Sequence, residues 1–195
     1  MAISSEVQIA NLALDYLGAE NITLLTDMNS VSNNFDLVRD SVLEDRDWTF
    51  SMKRVLLSSP DSTAPAFGYA NRFAIPSDCL RVVEVNENKY DWIKEGNFIL
   101  TNLSEIQVLY VKREEDVSKF TAGFIHVFAL RLAAALAIPI TNSAEFAGNL
   151  LQMYQIALMD ASGNDGRQGT HKPVNRNVSL KRNGLLSSNI AGPTV

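Results

Sequence analysis

The stretch from Ala122 to Ala161 constrains the fold more than any other part of the chain. Its first half, Ala122–Ile138, is apolar except for His126 and Arg131. A helix that is apolar all round has to be buried on most sides. A membrane-spanning helix needs about 20 apolar residues, whereas this run is shorter and carries an arginine at its centre. We therefore expect a helix in the core of a folded domain and no membrane contact.

A proline separates this helix from a second one. Pro139 cannot continue helical hydrogen bonding, so the first helix is predicted to end near Ile138. Asn142 is a favourable N-cap, and Glu145 follows three residues later as in a capping box. The next helix is accordingly predicted to cover Ser143–Ala161.

This second helix carries two apolar stripes. One consists of Phe146, Leu150, Met153 and Ala157, and the other of Leu151, Tyr154 and Leu158. The surface helix of a monomer needs one stripe for its own core. The second stripe indicates either a wide core face or contact with another molecule, and both interpretations stay open. On the latter interpretation, Leu151, Tyr154 and Leu158 are candidate interface residues.

Two further helices are predicted in the first quarter of the chain. Ser5 is placed to cap a helix over Ser5–Leu17, and Gly18 occupies the position of a C-terminal glycine. A second helix is predicted over Ser30–Arg46. One side is apolar, and the opposite side carries four acidic residues, Asp36, Asp40, Glu44 and Asp47. Like charges four residues apart weaken a helix slightly, so these side chains are expected to face solvent, either simply as exposed groups or as a selected negative surface.

The hydrophobic period changes from helical to alternating between Arg72 and Lys112. The preceding stretch, Leu57–Phe67, is rich in Ser, Pro, Asp and Ala and is predicted to be a loop. Glu95-Gly96-Asn97 predicts a hairpin turn. We expect a small antiparallel meander of four or five strands, drawn from Arg72–Ile75, Leu80–Val85, Tyr90–Ile93, Phe98–Thr101 and Ile106–Val111.

The predicted fold class is therefore α+β: a four-helix core with an inserted antiparallel β meander and an extended C-terminal tail. Residues 1–165 form the helical domain, with the β insertion at about 72–112, and residues 166–195 form an extended arm. The arm loses hydrophobic periodicity, and its composition cannot bury enough apolar surface to fold alone.

Charge is divided unequally between these two parts. The chain has a net charge of −5, yet all 22 acidic residues lie in the first 165 residues, together with 12 of the 17 basic residues. The arm holds the remaining five basic residues, Arg167, Lys172, Arg176, Lys181 and Arg182. An acidic body with a basic tail indicates that the tail meets an acidic partner, either phosphate or an acidic protein surface.

Catalytic and metal-binding patterns are scarce. His126 lies within the apolar helix and is interpreted as a core histidine, while His171 has no partner motif. Cys79 has no base placed nearby to activate it, and Glu114–Asp116 lacks the spacing of a calcium loop and is interpreted as a solvated charge run. The glycines fit neither a phosphate-binding loop nor a dinucleotide fingerprint. We expect no cofactor, no metal and no enzymatic activity.

Four local signatures together resemble one family. They are IANLALDYLGAENITLL (Ile9 to Leu25), DRDWTFSMKR (Asp45 to Arg54), FAIPSDCLRVVEV (Phe73 to Val85) and LAAALAIPITNSAEFAGNLLQMYQIAL (Leu132 to Leu158). With the order helix, helix, β insertion, apolar helix, long helix and tail, the chain resembles the tail adaptor family of short-tailed bacteriophages, also called tubular tail protein A or head-completion adaptor. The resemblance covers about Ile3 to Gln168.

The resemblance implies a structural virion protein, made in the host cytoplasm and incorporated into the viral tail. Such adaptors form a head–tail connector, a homo-oligomeric ring, typically a dodecamer, that joins the capsid portal to the tail nozzle. The ring completes the DNA ejection channel, through which DNA passes without specific binding. In related adaptors the C-terminal segment embraces the portal, which gives the five basic residues of the arm a portal-binding role. Leu151, Tyr154 and Leu158 become candidate subunit-interface residues, and the four acidic residues candidate channel-facing groups.

Two other function classes stay open. A small nucleic-acid-binding accessory protein would use the basic C-terminal arm, although binders of this kind usually interleave basic and aromatic residues and this arm has no aromatic residue. A small hydrolase would need a site that the sequence does not reveal. A strongly salt-dependent affinity for DNA would favour the first class, and substitution of His126 and Cys79 without functional loss would count against the second.

Overall fold

A computed structural model of the chain describes residues 5–165 and has a mixed α+β fold, as predicted. Four helices enclose one hydrophobic core, and two three-stranded antiparallel sheets lie between the second and third helices in the chain. The elements are α1 (Glu6–Leu17), α2 (Asn29–Asp45), β1 (Met52–Leu57), β2 (Asn71–Ala74), β3 (Cys79–Val85), β4 (Trp92–Glu95), β5 (Phe98–Thr101), β6 (Ile106–Lys112), α3 (Ala122–Thr141) and α4 (Ala144–Asp165). The predicted arm, 166–195, lies outside the described residues.

The first helix has the termini that its sequence predicts. The Ser5 hydroxyl accepts a hydrogen bond from the Gln8 backbone N–H at 3.3 Å, which satisfies one of the free donors at the helix start. Gly18 has φ of +65° and closes the helix in the left-handed conformation. The next residue, Ala19, donates its N–H to the Leu14 carbonyl at 3.1 Å, the bond expected beyond a C-terminal glycine.

Helix α3 is the centre of the helical core and packs against α1, α2 and α4. Eleven of its residues are buried, in keeping with its all-round apolar sequence. An aromatic cluster joins it to α2 and to the segment that follows α2. Phe124 lies 5.1 Å from Trp48 and 4.7 Å from Phe120 between ring centroids, and Phe128 lies 5.0 Å from Phe35. Edge-on and tilted aromatic pairs of this kind add to the apolar burial that holds the helices together.

The junction between α3 and α4 differs from the prediction. Helix α3 continues through Pro139 to Thr141, so the predicted end at Ile138 is wrong. Pro139 lies three residues before the C-cap, so the helix continues for less than one turn beyond it. Asn142 is the left-handed C-cap of α3, with φ of +55°, and not the N-cap of α4. The Ser143 hydroxyl caps α4 instead by accepting from the Phe146 N–H at 3.1 Å.

The β region is antiparallel throughout, but its strands do not form a meander. One sheet has the order β1-β6-β3 and the other β2-β5-β4. Only β4 and β5 pair as consecutive strands, with Gly96 at φ of +55° in the turn between them. Strand β1 was not predicted, and it extends the β region about twenty residues toward the N-terminus of the predicted start at Arg72. Its Lys53 and Arg54 are exposed on an edge strand, so its sequence lacks the apolar alternation of a central strand.

A second, smaller hydrophobic cluster lies within the β region. Its buried members are Phe73, Val85, Ile99, Ile106, Val108 and Tyr110. The β1-β6-β3 sheet also contributes Met52, Leu80, Val83 and Val111 to the helical core. This sheet therefore connects the helices to the second sheet, and the two hydrophobic clusters lie in one continuous fold.

A left-handed turn follows β3. Asn86, Glu87 and Asn88 have φ of +46°, +54° and +52°, a conformation that Asn adopts more readily than most residues. The Asn86 carboxamide oxygen accepts from the Gln107 backbone N–H at 2.6 Å, and the Asn88 oxygen accepts from the Trp92 indole at 3.2 Å. These bonds compensate the strained backbone and connect the turn to β6 and β4.

Candidate functional site

The three candidate interface residues of α4 have different environments. Tyr154 is buried, its hydroxyl donates to the Asp45 carboxylate, and its ring centroid lies 5.8 Å from the Arg131 guanidinium. Leu158 is half-buried and packs against the helical core. Leu151 is 37% exposed. The second stripe is therefore largely part of the protein's own core, and Tyr154 is not free to contact a neighbouring molecule.

Burial is the main reason that the pKa of Tyr154 is raised above its ordinary value. The hydrogen bond to the Asp45 carboxylate adds to this effect, because ionising the phenol would place two negative charges against each other. Tyr154 therefore stays neutral at physiological pH and acts as a hydrogen-bond donor between α4 and the end of α2.

The exposed apolar face of α4 is formed by other residues. Met153, Ile156 and Met159 are 47%, 63% and 67% exposed. Their spacing of three places them along one side of the helix, away from Tyr154. The sequence interpretation assigned Met153 to the core stripe and did not single out the other two. We call these three residues the α4 face.

A groove of about 390 Å³ lies beside the α4 face, between α3 and α4. Its walls include Leu130 and Gly123 of α3, and Ile156 and Asp160 of α4. The helices approach closely here, since a Cβ at Gly123 would lie 3.3 Å from the Ala161 Cβ. The groove is open to solvent and mainly apolar, a surface typical of an interaction site.

His126 lies on the wall of this groove and is exposed, so its interpretation as a core histidine is wrong. Its Nδ1 is 3.1 Å from the Tyr16 hydroxyl of α1. The residue is one of the few polar members of this apolar helix, and it faces outward where α3 is not covered by its neighbours.

A second set of exposed apolar side chains lies in the β region, on strands and loops distant in sequence from α4. Phe67 is 89% exposed in the loop between β1 and β2, which confirms the predicted loop. Leu56, Tyr90 and Ile93 are 54%, 57% and 44% exposed. The described residues thus present large apolar side chains on both the helical part and the β part of the surface.

The acidic side of α2 is not a uniformly free negative surface. Arg39 is only 4% exposed, and its guanidinium reaches Asp36 at 2.9 Å and Asp40 at 3.0 Å. Arg113 holds the other oxygen of Asp40 at 2.7 Å. The Asp40 side chain is 20% exposed, so the expectation that it faces solvent is wrong.

The other end of this acidic side is joined to the β region. Arg81 of β3 donates to the Glu44 carbonyl at 3.0 Å and also contacts the Asp47 carboxylate. Asp36, Glu44 and Asp47 are exposed, as predicted. Three of the four acidic residues therefore face solvent. Arginines of α2, of β3 and just after β6 pair with the carboxylates of Asp36, Asp47 and Asp40, and the last two attach α2 to the sheet.

A compact ionic cluster lies where β6 ends. Glu114 is 5% exposed and accepts from Lys112 at 3.1 Å, Lys119 at 3.0 Å and the Asp116 N–H at 3.2 Å. Burial by itself would raise the pKa of the Glu114 carboxyl, but these donors hold that pKa below its usual value. The interpretation of Glu114–Asp116 as a solvated charge run is therefore wrong for Glu114, which has a structural role.

The environment of Cys79 does not favour a reactive thiolate. Burial raises the pKa of the Cys79 thiol, the opposite of the shift that activates a nucleophile. The described part of the chain contains no group of three His, Cys, Asp or Glu side chains able to hold a metal ion. Helix α3 is long and apolar enough to cross a membrane by length and composition, but most of it is buried inside the fold.

The candidate residues of the arm, Arg167, Lys172, Arg176, Lys181 and Arg182, lie outside the described residues. The surfaces that remain as candidates are therefore the α4 face with its groove, the apolar side chains of the β region, and the partly neutralised acidic side of α2. None of the protein-family models matches this chain, and no curated protein is significantly similar to it.

Proposed function

We propose that this protein is a structural component of a bacteriophage virion: a tail adaptor that forms a ring between the capsid portal and the tail nozzle. On this proposal the ring is part of the DNA ejection channel and contains about twelve copies, as the resemblance implies. The assembly is a virion tail part, and the chain has no enzymatic role in it.

One observation supports the proposal more than any other: large apolar side chains are exposed on parts of the surface that are distant in sequence. They include the α4 face and, in the β region, Leu56, Phe67, Tyr90 and Ile93. A ring needs two different surfaces on each copy, because its contacts are head-to-tail. A contiguous exposed apolar surface, such as the α4 face with its groove, is typical of an interaction site.

The partly neutralised α2 surface is compatible with a channel that lets DNA pass. Asp36 and Asp47 have side chains that are 77% and 55% exposed. Carboxylates repel phosphate, whereas a protein that holds DNA presents a surplus of Lys and Arg. We therefore propose that DNA moves past this ring without being bound, if the acidic side of α2 lines the channel.

The arm supplies the proposed contact with the portal. Its five basic residues and its lack of acidic residues suit an acidic protein surface. Portal contact by the arm leaves the apolar surfaces of the body free for contacts between copies. The proposal thus assigns separate surfaces to portal attachment and to ring closure.

The experiment that tests the function mixes the purified protein with the portal protein of the same phage and examines the product by electron microscopy. We expect a second ring stacked on the portal, and a portal that remains bare would refute the proposal. Truncation after Asp165 is expected to weaken attachment, and undiminished binding would transfer the portal contact to the body.

Ring closure is tested with a substitution on the α4 face. Ile156→Asp places a charge at a position that is 63% exposed, so the monomer should fold normally while the ring fails to close. Gln155→Asp on the same helix is the matched control, because Gln155 is also exposed but polar. Equal ring formation by both variants would show that the α4 face is not a subunit contact.

The alternative function, nucleic-acid binding through the basic arm, predicts a different result. Tight binding of the isolated protein to DNA, falling steeply between low and physiological salt, would favour it. The described residues carry 22 acidic and 12 basic side chains, which does not favour phosphate binding by the body, so the adaptor remains the preferred proposal.

A further inference from the structure

The groove between α3 and α4 and the α4 face form one continuous apolar surface. Ile156 and Met153 belong to both, and Met159 extends the surface toward the C-terminus of α4. Within this surface the charged side chain is Asp160, which lines the groove. An occupant would therefore combine aliphatic side chains with at least one basic group.

The last described turn of α4 brings a suitable segment close to this surface. Helix α4 is described as far as Asp165, about one turn beyond Ala161, which lines the groove. Thirty residues, 166–195, follow. The groove runs from Ala161 back to Met153, about 12 Å along the helix. An extended chain covers about 3.3 Å per residue, so a fraction of the arm is long enough to reverse direction and run the whole groove.

The composition of the arm matches that of the surface. Its basic residues begin at Arg167, and no acidic residue follows that could repel Asp160. Its aliphatic side chains occur between and after the basic ones: Val174, Val178, Leu180, Leu185, Leu186 and Ile190. The body carries all of the acidic residues of the chain, so charge attraction also favours the arm lying on the body.

We propose that the C-terminal arm docks along the groove between α3 and α4 of its own chain in the isolated protein. Aliphatic residues of the arm cover Met153, Ile156 and Met159, and a basic residue near the start of the arm lies against Asp160. The arm is tethered beside the groove at an effective concentration on the order of millimolar, which favours it over the same segment of another copy. This inference concerns the isolated protein and does not depend on a portal.

The test uses the full chain with methyl-labelled methionines and one spin label. Cys79 is the single cysteine, so Cys79→Ser with Ser179→Cys places the label between Val178 and Leu180. Docking predicts that the methyl signals of both Met153 and Met159 broaden, while those of Met28 and Met52, which do not line the groove, stay sharp. No broadening of Met153 would overturn the proposal.

Two comparisons separate docking from simple proximity. The pair Leu180→Ser and Leu185→Ser should abolish the broadening at Met153, and an arm that is merely tethered nearby would leave it unchanged. Asp160→Lys should also reduce it, whereas Glu145→Lys, an exposed acid on the same helix but outside the groove, should not. Equal effects of these two lysine variants would refute the charge contact.

A mixed sample identifies which copy supplies the arm. Spin-labelled protein without methyl labels is mixed with methyl-labelled protein that carries no spin label. The proposal predicts sharp Met153 and Met159 signals in this mixture. Broadening there would show that the arm of a second copy occupies the groove, and the assignment to the same chain would be wrong.

Discussion

The ionic cluster at the end of β6 offers a prediction whose size and pH dependence both follow from geometry. Glu114→Gln keeps the shape of the side chain and removes its charge. The side chain is 6% exposed and accepts from two lysines, which are 30% and 49% exposed, and from the Asp116 N–H. The glutamine can still accept from the Asp116 N–H, so the main loss is the attraction of the two ammonium groups.

A buried hydrogen bond to a charged group contributes about 1.5–3 kcal/mol to the free energy of unfolding. An exposed ion pair contributes at most about 1 kcal/mol. Because both lysines are partly exposed, each of these two contacts should contribute close to the value given for an exposed ion pair. We therefore expect Glu114→Gln to lower the free energy of unfolding by about 1–2 kcal/mol at pH 7. Urea unfolding followed by circular dichroism measures this as a lower midpoint with an unchanged slope.

The pH dependence of this difference has a definite sign. The pKa of Glu114 is lowered in the folded protein, so its contribution to stability is present above the pKa of the unfolded chain, about 4.3. It is lost as the pH falls through the lower folded pKa, because protonation then has to occur in the folded state. The stability difference between the native protein and Glu114→Gln should be constant from about pH 6 to 8 and should shrink below about pH 4.

The matched control is the next residue in the chain. The Glu115 side chain is 69% exposed and lies 3.8 Å from Arg39, so Glu115→Gln should cost less than about 0.5 kcal/mol. Equal losses for the two variants would contradict the argument that burial makes Glu114 important. A stability difference that persists unchanged well below about pH 4 would show that the carboxylate charge is not its source.

Other predictions follow from single contacts. Tyr154→Phe should lower the free energy of unfolding in urea by about 1 kcal/mol, because the contact with Asp45 is lost. In the native protein, Tyr154 should not ionise at about pH 11 in an ultraviolet titration, because its pKa is raised. Asn86→Ala should cost about 1–2 kcal/mol in thermal unfolding, whereas Asn86→Gly should cost less, since φ is +46° there and only alanine is strained. Phe124→Ala should cost about 3–5 kcal/mol in urea unfolding, because Phe124 is fully buried among aromatic rings; Phe67→Ala, at a position 89% exposed, should change stability little.

The sequence by itself determined the elements whose causes are local. The apolar run of α3, the Ser5 cap and Gly18 of α1, and the switch to alternating periodicity after Arg72 all depend on residues within a few positions of one another. Helix type, helix caps and hairpin turns follow from such short-range patterns. The order of helices and β region, and the α+β class, could therefore be derived without coordinates.

Only the tertiary structure decided what each side chain meets across the fold. Strand β1 is defined by its pairing with β6, and Tyr154 is buried in the helical core, where its hydroxyl contacts Asp45 at the end of α2. The acidic side of α2 is partly neutralised by Arg81 and Arg113, which are 34 and 73 residues away from their partners in the chain. Periodicity states which residues share one side of an element, but not which other element covers that side. Contacts between elements distant in the chain largely cover the predicted stripe of α4. The α4 face is left exposed, and it is therefore the candidate interaction surface.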